Sequence, residues 1–197
     1  MALTNTCLGV VLAGGLSSRM GTDKALLTRK QDSLLAFSEK LLKQTGVAQV
    51  VVSGKQHGIA DEVEQLGPMG GIYTILNKYQ PNALLILPVD LPLMDVNSLK
   101  QLKLAGELSQ QPCYFRDNYL PLYLPITALV QEFFNHSFAS LNTITKTGKG
   151  PSIRALLAGL PSKTLTPKNN LALFNANTPE QWQQAQQHFS NHRSSHV

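Results

Sequence analysis

The sequence predicts an α/β protein: a mostly parallel, twisted sheet in three layers, with helices on both faces. Three observations predict it. Strand and helix patterns alternate through the first half of the chain, the sign of βαβ units. The strand segments are near-continuous apolar runs, which suit a sheet covered on both sides. The first of them runs directly into a glycine pair, and open α/β sheets bind ligands beyond the carboxyl ends of their strands.

Each element has its own signal. Cys7 to Leu12 is an apolar strand that stops at Ala13-Gly14-Gly15. Ser33 to Gln44 has helical spacing, with Leu34, Leu35, Leu41 and Leu42 on or near one face. Val50 to Val52 is a second strand, closed by Ser53-Gly54. Gly67-Pro68-Met69-Gly70-Gly71 is a turn that opens a helix reaching about Tyr79. Leu84 to Val89 is a third strand and ends at Asp90. Ser98 to Leu108 reads as helix. Pro112 to Phe115 and Tyr119 to Leu124 read as strands around an Arg116-Asp117-Asn118 turn. Ile126 to Phe134 reads as helix, Phe138 to Pro151 as a mobile polar loop, and Ile153 to Ala158 as a short helix. Leu171 to Phe174 is expected as a last strand. Thr178-Pro179-Glu180-Gln181 then starts a helix, with Thr178 as cap and Gln181 completing a capping box.

Composition narrows the class. The 197 residues are 43% hydrophobic with a mean hydropathy of -0.07, which excludes a disordered chain. The length suits one domain with its own core, and no internal linker is visible. That domain is expected over residues 1–187, with 188–197 as a flexible tail. No apolar run is long enough to span a membrane. Residues 1–6 lack a secretory pattern, so a cytoplasmic setting is expected. Cys7 and Cys113 show no paired or zinc-ligand spacing and are expected as reduced core residues.

Charge points to the ligand. Charged residues are only 15% of the chain, yet the net charge is +5. A small basic excess suits a phosphorylated ligand. No long basic run or interleaved aromatic patch supports nucleic acid as a partner.

The chemistry concentrates in four places. The first is the loop after the first strand. Gly14 and Gly15 permit close backbone approach, and successive N–H groups can form an anion nest. Ser17 and Ser18 add hydroxyls, while Arg19 and Lys24 add positive charge. The set is suited to a polyphosphate. It is neither a P-loop, which needs Gly-Lys-Ser/Thr, nor a dinucleotide fingerprint, which needs G-x-G-x-x-G. The second is Asp90, a carboxylate at a strand's carboxyl end and well placed for a hard cation such as Mg²⁺. The third is the Gly67–Gly71 turn with its free N–H groups. The fourth is Asn175 and Asn177, spaced i, i+2 and so on one side of an extended segment.

The stretch Leu12-Ala13-Gly14-Gly15-Leu16-Ser17-Ser18-Arg19-Met20-Gly21-Thr22-Asp23-Lys24-Ala25-Leu26-Leu27 resembles the signature of the nucleotidyltransferases that complete the molybdenum cofactor. Asp23 to Leu27 and the ending Phe174-Asn175-Ala176-Asn177-Thr178-Pro179-Glu180 are most similar to the guanylyltransferase, MobA-type branch. Four motifs follow in the matching order across essentially the whole chain.

The resemblance implies a Rossmann-like sheet of the nucleotidyltransferase type. It implies transfer of GMP from GTP to molybdopterin, with release of pyrophosphate and dependence on Mg²⁺. Arg19, Lys24 and Asp90 are then the expected catalytic residues, with Asp90 holding the metal. GTP would be bound by Leu12, Ala13, Gly14, Gly15, Ser17, Lys24, Ser53, Asp61, Gly70 and Asp90. Ser53 stands where an Asn is common in the family, and Asp61 corresponds to a guanine-contacting carboxylate. Asn175 and Asn177 would lie near the metal or the second substrate. Cofactor-insertion proteins or molybdoenzyme chaperones are the implied partners. The alternatives are a cytidylyltransferase on the same pterin, another sugar- or alcohol-phosphate nucleotidyltransferase, and a GTP- or pterin-binding carrier without catalysis.

Overall fold

The computed structural model describes residues 6–14, 23–63, 66–139 and 150–191 of the chain. Gly15, Ser17 and Arg19 of the first loop lie outside them, as do most of the loop expected over 138–151 and the tail from residue 192. Within the described residues, the strands are β1 (Cys7–Leu12), β2 (Thr28–Arg29), β3 (Asp32–Ser33), β4 (Gln49–Ser53), β5 (Ala83–Pro88), β6 (Cys113–Phe115), β7 (Asn118–Pro125) and β8 (Lys163–Leu165). The helices are α1 (Leu34–Gln44), α2 (Pro68–Tyr79), α3 (Val96–Ser109), α4 (Ala128–Phe138), α5 (Ile153–Ala158) and α6 (Pro179–Asn191).

Six strands form one sheet in the order β4-β1-β5-β7-β6-β8. The pairs β4/β1, β1/β5 and β6/β8 are parallel; β7 runs antiparallel to both neighbours. The sheet is covered on both faces, and the side-chain alternation shows it. Cys7 and Val11 of β1 and Ala83, Leu85 and Leu87 of β5 share a core with α1 and α3. Leu8 and Val10, with Leu84 and Ile86, share the opposite core with α2, α4 and α5. A period of two on doubly buried strands places apolar residues at nearly every position. This is the three-layer arrangement expected from the sequence.

The helix starts follow local chemistry. Ser33, Asp95, Thr127 and Ser152 each accept a backbone N–H from the third residue of their helix. The capping box at α6 is formed in both directions. Thr178 Oγ1 accepts from Gln181 N at 3.3 Å, and Gln181 Oε1 accepts from Thr178 N at 3.1 Å. The same Oε1 also accepts from Asn177 N at 2.8 Å.

Three elements differ from expectation. Leu171 to Phe174 is not a strand. Asn170–Leu173 is a turn of 3-10 helix whose cap, Asn169, accepts from Leu171 N at 3.0 Å. A short apolar run does not distinguish the two states, and the preceding Asn pair decides for the turn. The final strand is instead Lys163–Leu165, largely exposed and paired to β6; three polar-edged residues carry no strand signal. The small hairpin Thr28–Arg29/Asp32–Ser33 was also not expected from its mostly polar residues. The tail expected from His188 is helical as far as Asn191.

Cys7 and Cys113 are buried and unpaired in the same core. Burial raises both thiols, that of Cys7 to about 12, so neither is a nucleophile near neutral pH. Among the described residues, no helix is long and apolar enough to cross a membrane.

Candidate active site

Register brings three loops to one level. Leu12 of β1 pairs with Ser53 of β4 on one side and Pro88 of β5 on the other. The residues just beyond, Ala13-Gly14, Gly54 and Val89-Asp90, therefore share the carboxyl edge of the sheet. Ala13 N donates to Ser53 O at 2.8 Å, and Val89 N donates to Leu12 O at 3.1 Å. Gly54 has φ +150°, and a Cβ there would sit 2.9 Å from the Ala13 carbonyl carbon. Only glycine lets these two loops touch.

Above this edge lies a cavity of about 690 Å³. That volume falls in the range for a small-molecule site. Leu12, Ala13, Gly14, Lys24, Ser53, Asp61, Asp90 and Asn175 all line it, so most of the described residues expected at the site converge there. The start of β7 and the start of α5 also line it.

Lys24 and Asp90 form the polar centre. Asp23 opens the 3-10 turn Lys24–Leu26, with its Oδ1 accepting from Ala25 N at 2.9 Å. This turn presents Lys24 Nζ 3.7 Å from Asp90 Oδ2. Nζ also donates to Asn177 Oδ1. The Asn175–Asn177 segment is held in place by Asp90 itself, whose carbonyl accepts from Ala176 N at 2.9 Å. Residues from three distant parts of the chain thus share one bonded cluster.

Burial pushes the Asp90 carboxyl above the ordinary carboxylate range. The Lys24 ammonium and the Asn175 amide pull it back only in part. Asp90 Oδ1 is buried and has no hydrogen-bond partner among the described residues. A desolvated carboxylate that lines a cavity and has one oxygen without a partner is suited to a hard divalent cation. No cluster of three or more His, Cys, Asp or Glu side chains stands among the described residues. A cation on Asp90 would therefore take its remaining ligands from phosphate oxygens and water, the usual habit of Mg²⁺.

A second cluster sits at the start of α2. Ser53 Oγ donates to Asp61 Oδ1 at 3.2 Å. A Cβ on Gly71 would lie 2.2 Å from Ser53 Oγ and 3.3 Å from Asp61 Oδ1, and one on Gly70 would lie 3.3 Å from Asp61 Oδ2. The two glycines make room for the carboxylate against the helix start. Gly67, at φ +57°, and Pro68 set the entry angle. Thr74 ties the Asp61 segment down, accepting from Glu62 N at 2.8 Å while donating to Gly70 O at 2.9 Å.

Gly70 and Asn177 do not line the cavity; each holds a residue that does. Sequence reasoning missed Arg154, Asp117–Leu120 and Asp23, which line it, and His57, which bonds Asp23 Oδ2 at 2.6 Å. Arg154 is one cation on a six-residue helix, a position no spacing rule selects. Asp23 was legible as a neighbour of Lys24, since Asp is a preferred helix cap.

Residues 9–131 match the family described as the MobA-like NTP transferase domain. Over 189 residues the chain is 40% identical to the molybdenum cofactor guanylyltransferase of Xanthomonas euvesicatoria pv. vesicatoria (strain 85-10), covering 92% of this chain and 95% of that one. Among solved structures it is similar to molybdopterin-guanine dinucleotide biosynthesis protein A from Archaeoglobus fulgidus. There the TM-score is 0.68 at 19% identity, over 93% of this chain and 99% of that one. A nucleotidyl transferase from Methanothermobacter thermautotrophicus gives a TM-score of 0.71 at 16% identity, over 95% and 99%. At these identities the two structures speak for the fold.

Proposed function

The chain belongs to the MobA-like NTP transferase family, and from that premise we propose that it transfers GMP from GTP to the terminal phosphate of molybdopterin, releasing pyrophosphate. The observation that carries the proposal is the Lys24–Asp90–Asn177 cluster at the carboxyl edge of the sheet. Its Lys24 and Asp90 line a cavity large enough for a nucleotide.

The chemistry asks for no protein nucleophile. An anionic oxygen of the pterin phosphate attacks the α-phosphorus of GTP. The new P–O bond forms as the bond to the β-phosphate bridging oxygen breaks, and its electron pair leaves with pyrophosphate. Catalysis is then positioning and charge stabilisation. Lys24 stabilises negative charge on the departing phosphates. The backbone at Ala13 and Gly14 lets the phosphates come close. Arg19, with Gly15 and Ser17, adds to the same phosphate site in this reading. Mg²⁺, held by Asp90, would neutralise phosphate charge when bound.

Ser53, Asp61 and Gly70 form the guanine end, where a carboxylate suits the N1 and N2 donors of the base. Asn175 faces the second substrate, and Asn177 holds Lys24 beside it. Arg154, lining the cavity from α5, supplies positive charge for the acceptor phosphate. Residues 1–187 act as one domain in this reading. The setting is cytoplasmic, with the product passed to cofactor-insertion proteins.

Thermal shift with Mg²⁺ and each of GTP, CTP, ATP and UTP tests the proposal. Ligand at about a hundred times its Kd adds roughly 2.7 kcal/mol of stability. The expected result is a shift with GTP that is lost in Asp90→Ala. A preference for CTP would move the reading to the cytidylyl form, and no shift with any nucleotide would overturn it.

A further inference from the structure

We propose that His57 is a positioning residue for Lys24, acting through Asp23. The inference rests on the reading of Lys24 as a phosphate-binding group. His57 itself lies outside the cavity lining and touches no reacting atom.

The bonded path is short. The ring Nε2 of His57 lies 2.6 Å from Asp23 Oδ2, with both side chains mostly buried, at 14% and 26% exposure. A carboxylate only accepts, so the ring presents Nε2–H to it. The other oxygen of Asp23 accepts from Ala25 N at 2.9 Å, and Asp23 O accepts from Leu26 N at 3.1 Å. Asp23 therefore fixes the 3-10 turn from both its side chain and its backbone. Lys24 is the first residue of that turn and sits 3.7 Å from Asp90.

The anchor is rigid. Residues 53–59 form a tight loop after β4. His57 N and Gly58 N both donate to Gly54 O, at 3.1 and 2.9 Å, and Gly54 N donates to Ile59 O at 2.8 Å. A Cβ on Gly58 would lie 2.2 Å from Val52 O, so the loop is pressed onto its own strand. The same loop meets the first βα segment twice. It packs Gly54 against Ala13-Gly14 and accepts Ala13 N at Ser53 O, and it grips Asp23 through His57. One loop thus sets where the glycine end and the lysine end of that segment stand relative to each other. A lone histidine in a polar loop has no sequence signal for this role.

Three variants test it in the full-length chain: His57→Ala, His57→Gln and His57→Phe. Gln carries its amide N–H to nearly the reach of Nε2, while Phe keeps the ring volume and loses the donor. Two readouts are taken. One is steady-state turnover, split into kcat and the KM for each substrate. The other is the rate at which a small acylating reagent labels the Lys24 amine, read by peptide mass spectrometry.

The expected result for Ala and Phe is a fall in kcat of about tenfold or more, the scale of a misplaced catalytic group. The KM for the acceptor should stay within about twofold, and Lys24 should label several-fold faster. His57→Gln should restore both readouts. Phe decides the matter if the Ala variant does not fold. Unchanged kcat and unchanged Lys24 labelling in Ala or Phe overturn the inference, as does an impaired Gln variant with wild-type labelling. If wild-type protein fails to turn over GTP, the functional reading fails, and the labelling series still decides whether His57 places Lys24.

Discussion

Lys24 Nζ stands 3.7 Å from Asp90 Oδ2, while the other carboxylate oxygen, Oδ1, is buried without a hydrogen-bond partner among the described residues. The lysine neutralises one side of the acid and leaves the other oxygen without a partner. That division of labour suits a site where one carboxylate must hold a cation next to a cationic side chain. Asn177 completes it by taking a hydrogen bond from Lys24, which keeps the ammonium from collapsing fully onto the acid.

Lys24→Ala should lower kcat by roughly a hundredfold or more, the scale of losing one preorganised donor to developing charge. Pyrophosphate release under saturating GTP measures it. Near-wild-type turnover would remove Lys24 from the phosphate site.

Asp90 should shape stability against pH in protein free of metal. Burial raises its folded pKa, and Lys24 only partly offsets this. Between the ordinary carboxylate pKa and the raised value, the folded state holds a proton that the unfolded chain has lost. The contribution of this group to stability therefore falls as pH rises through that window. Asp90→Asn should melt higher than wild type near neutral pH while losing turnover. The gap should close as melts are taken from about pH 8 to about pH 3, below the ordinary carboxylate range. A gap that stays constant with pH would contradict the assignment.

Gly54→Ala should both destabilise the protein and weaken nucleotide binding. Its φ of +150° and the 2.9 Å approach of the Ala13 carbonyl carbon leave no place for a methyl. Strain of this kind costs roughly 1–3 kcal/mol. Chemical denaturation and the GTP-induced thermal shift read the two effects.

Thr178→Ala removes one half of the capping box and should cost about 1 kcal/mol, or about 2–4 °C in melting temperature for a chain of this size. The Asn177 backbone would keep its bond to Gln181 Oε1, so kcat should fall much less than in Lys24→Ala.

Arg154→Ala should raise the KM for the pterin substrate and leave the KM for GTP within about twofold, because Arg154 lines the cavity from α5, outside the Lys24–Asp90 pair. Initial rates with each substrate varied in turn decide this. An equal rise in both KM values would place Arg154 at the nucleotide instead.

Much of this arrangement was legible in the sequence because the signals were local. The β1 run with its glycine pair, Asp90 at the end of β5 and the Thr178–Gln181 box each carry their meaning within a few residues. The register Leu12–Ser53 and Leu12–Pro88 then brings those local signals to one edge. What sequence reading missed depends on contacts between distant segments. His57 and Asp23 are 34 residues apart; Asp23 sits in the Leu12–Leu27 stretch, but His57 sits in no spacing pattern. Arg154 lines the cavity from the start of α5, next to Gly150, which packs close to the distant Leu66. The 3-10 turn at Asn170–Leu173 replaced an expected strand because capping by Asn169 outweighs a four-residue apolar run.

Guanylyl transfer is tested by following the α-phosphorus. Purified protein is incubated with Mg²⁺, molybdopterin and GTP labelled at the α-phosphate. Label should appear in a pterin dinucleotide, with one pyrophosphate released per label transferred and GTP preferred over CTP, and transfer should be lost in Asp90→Ala. Label that stays in GTP, or appears only as free GMP, would contradict it.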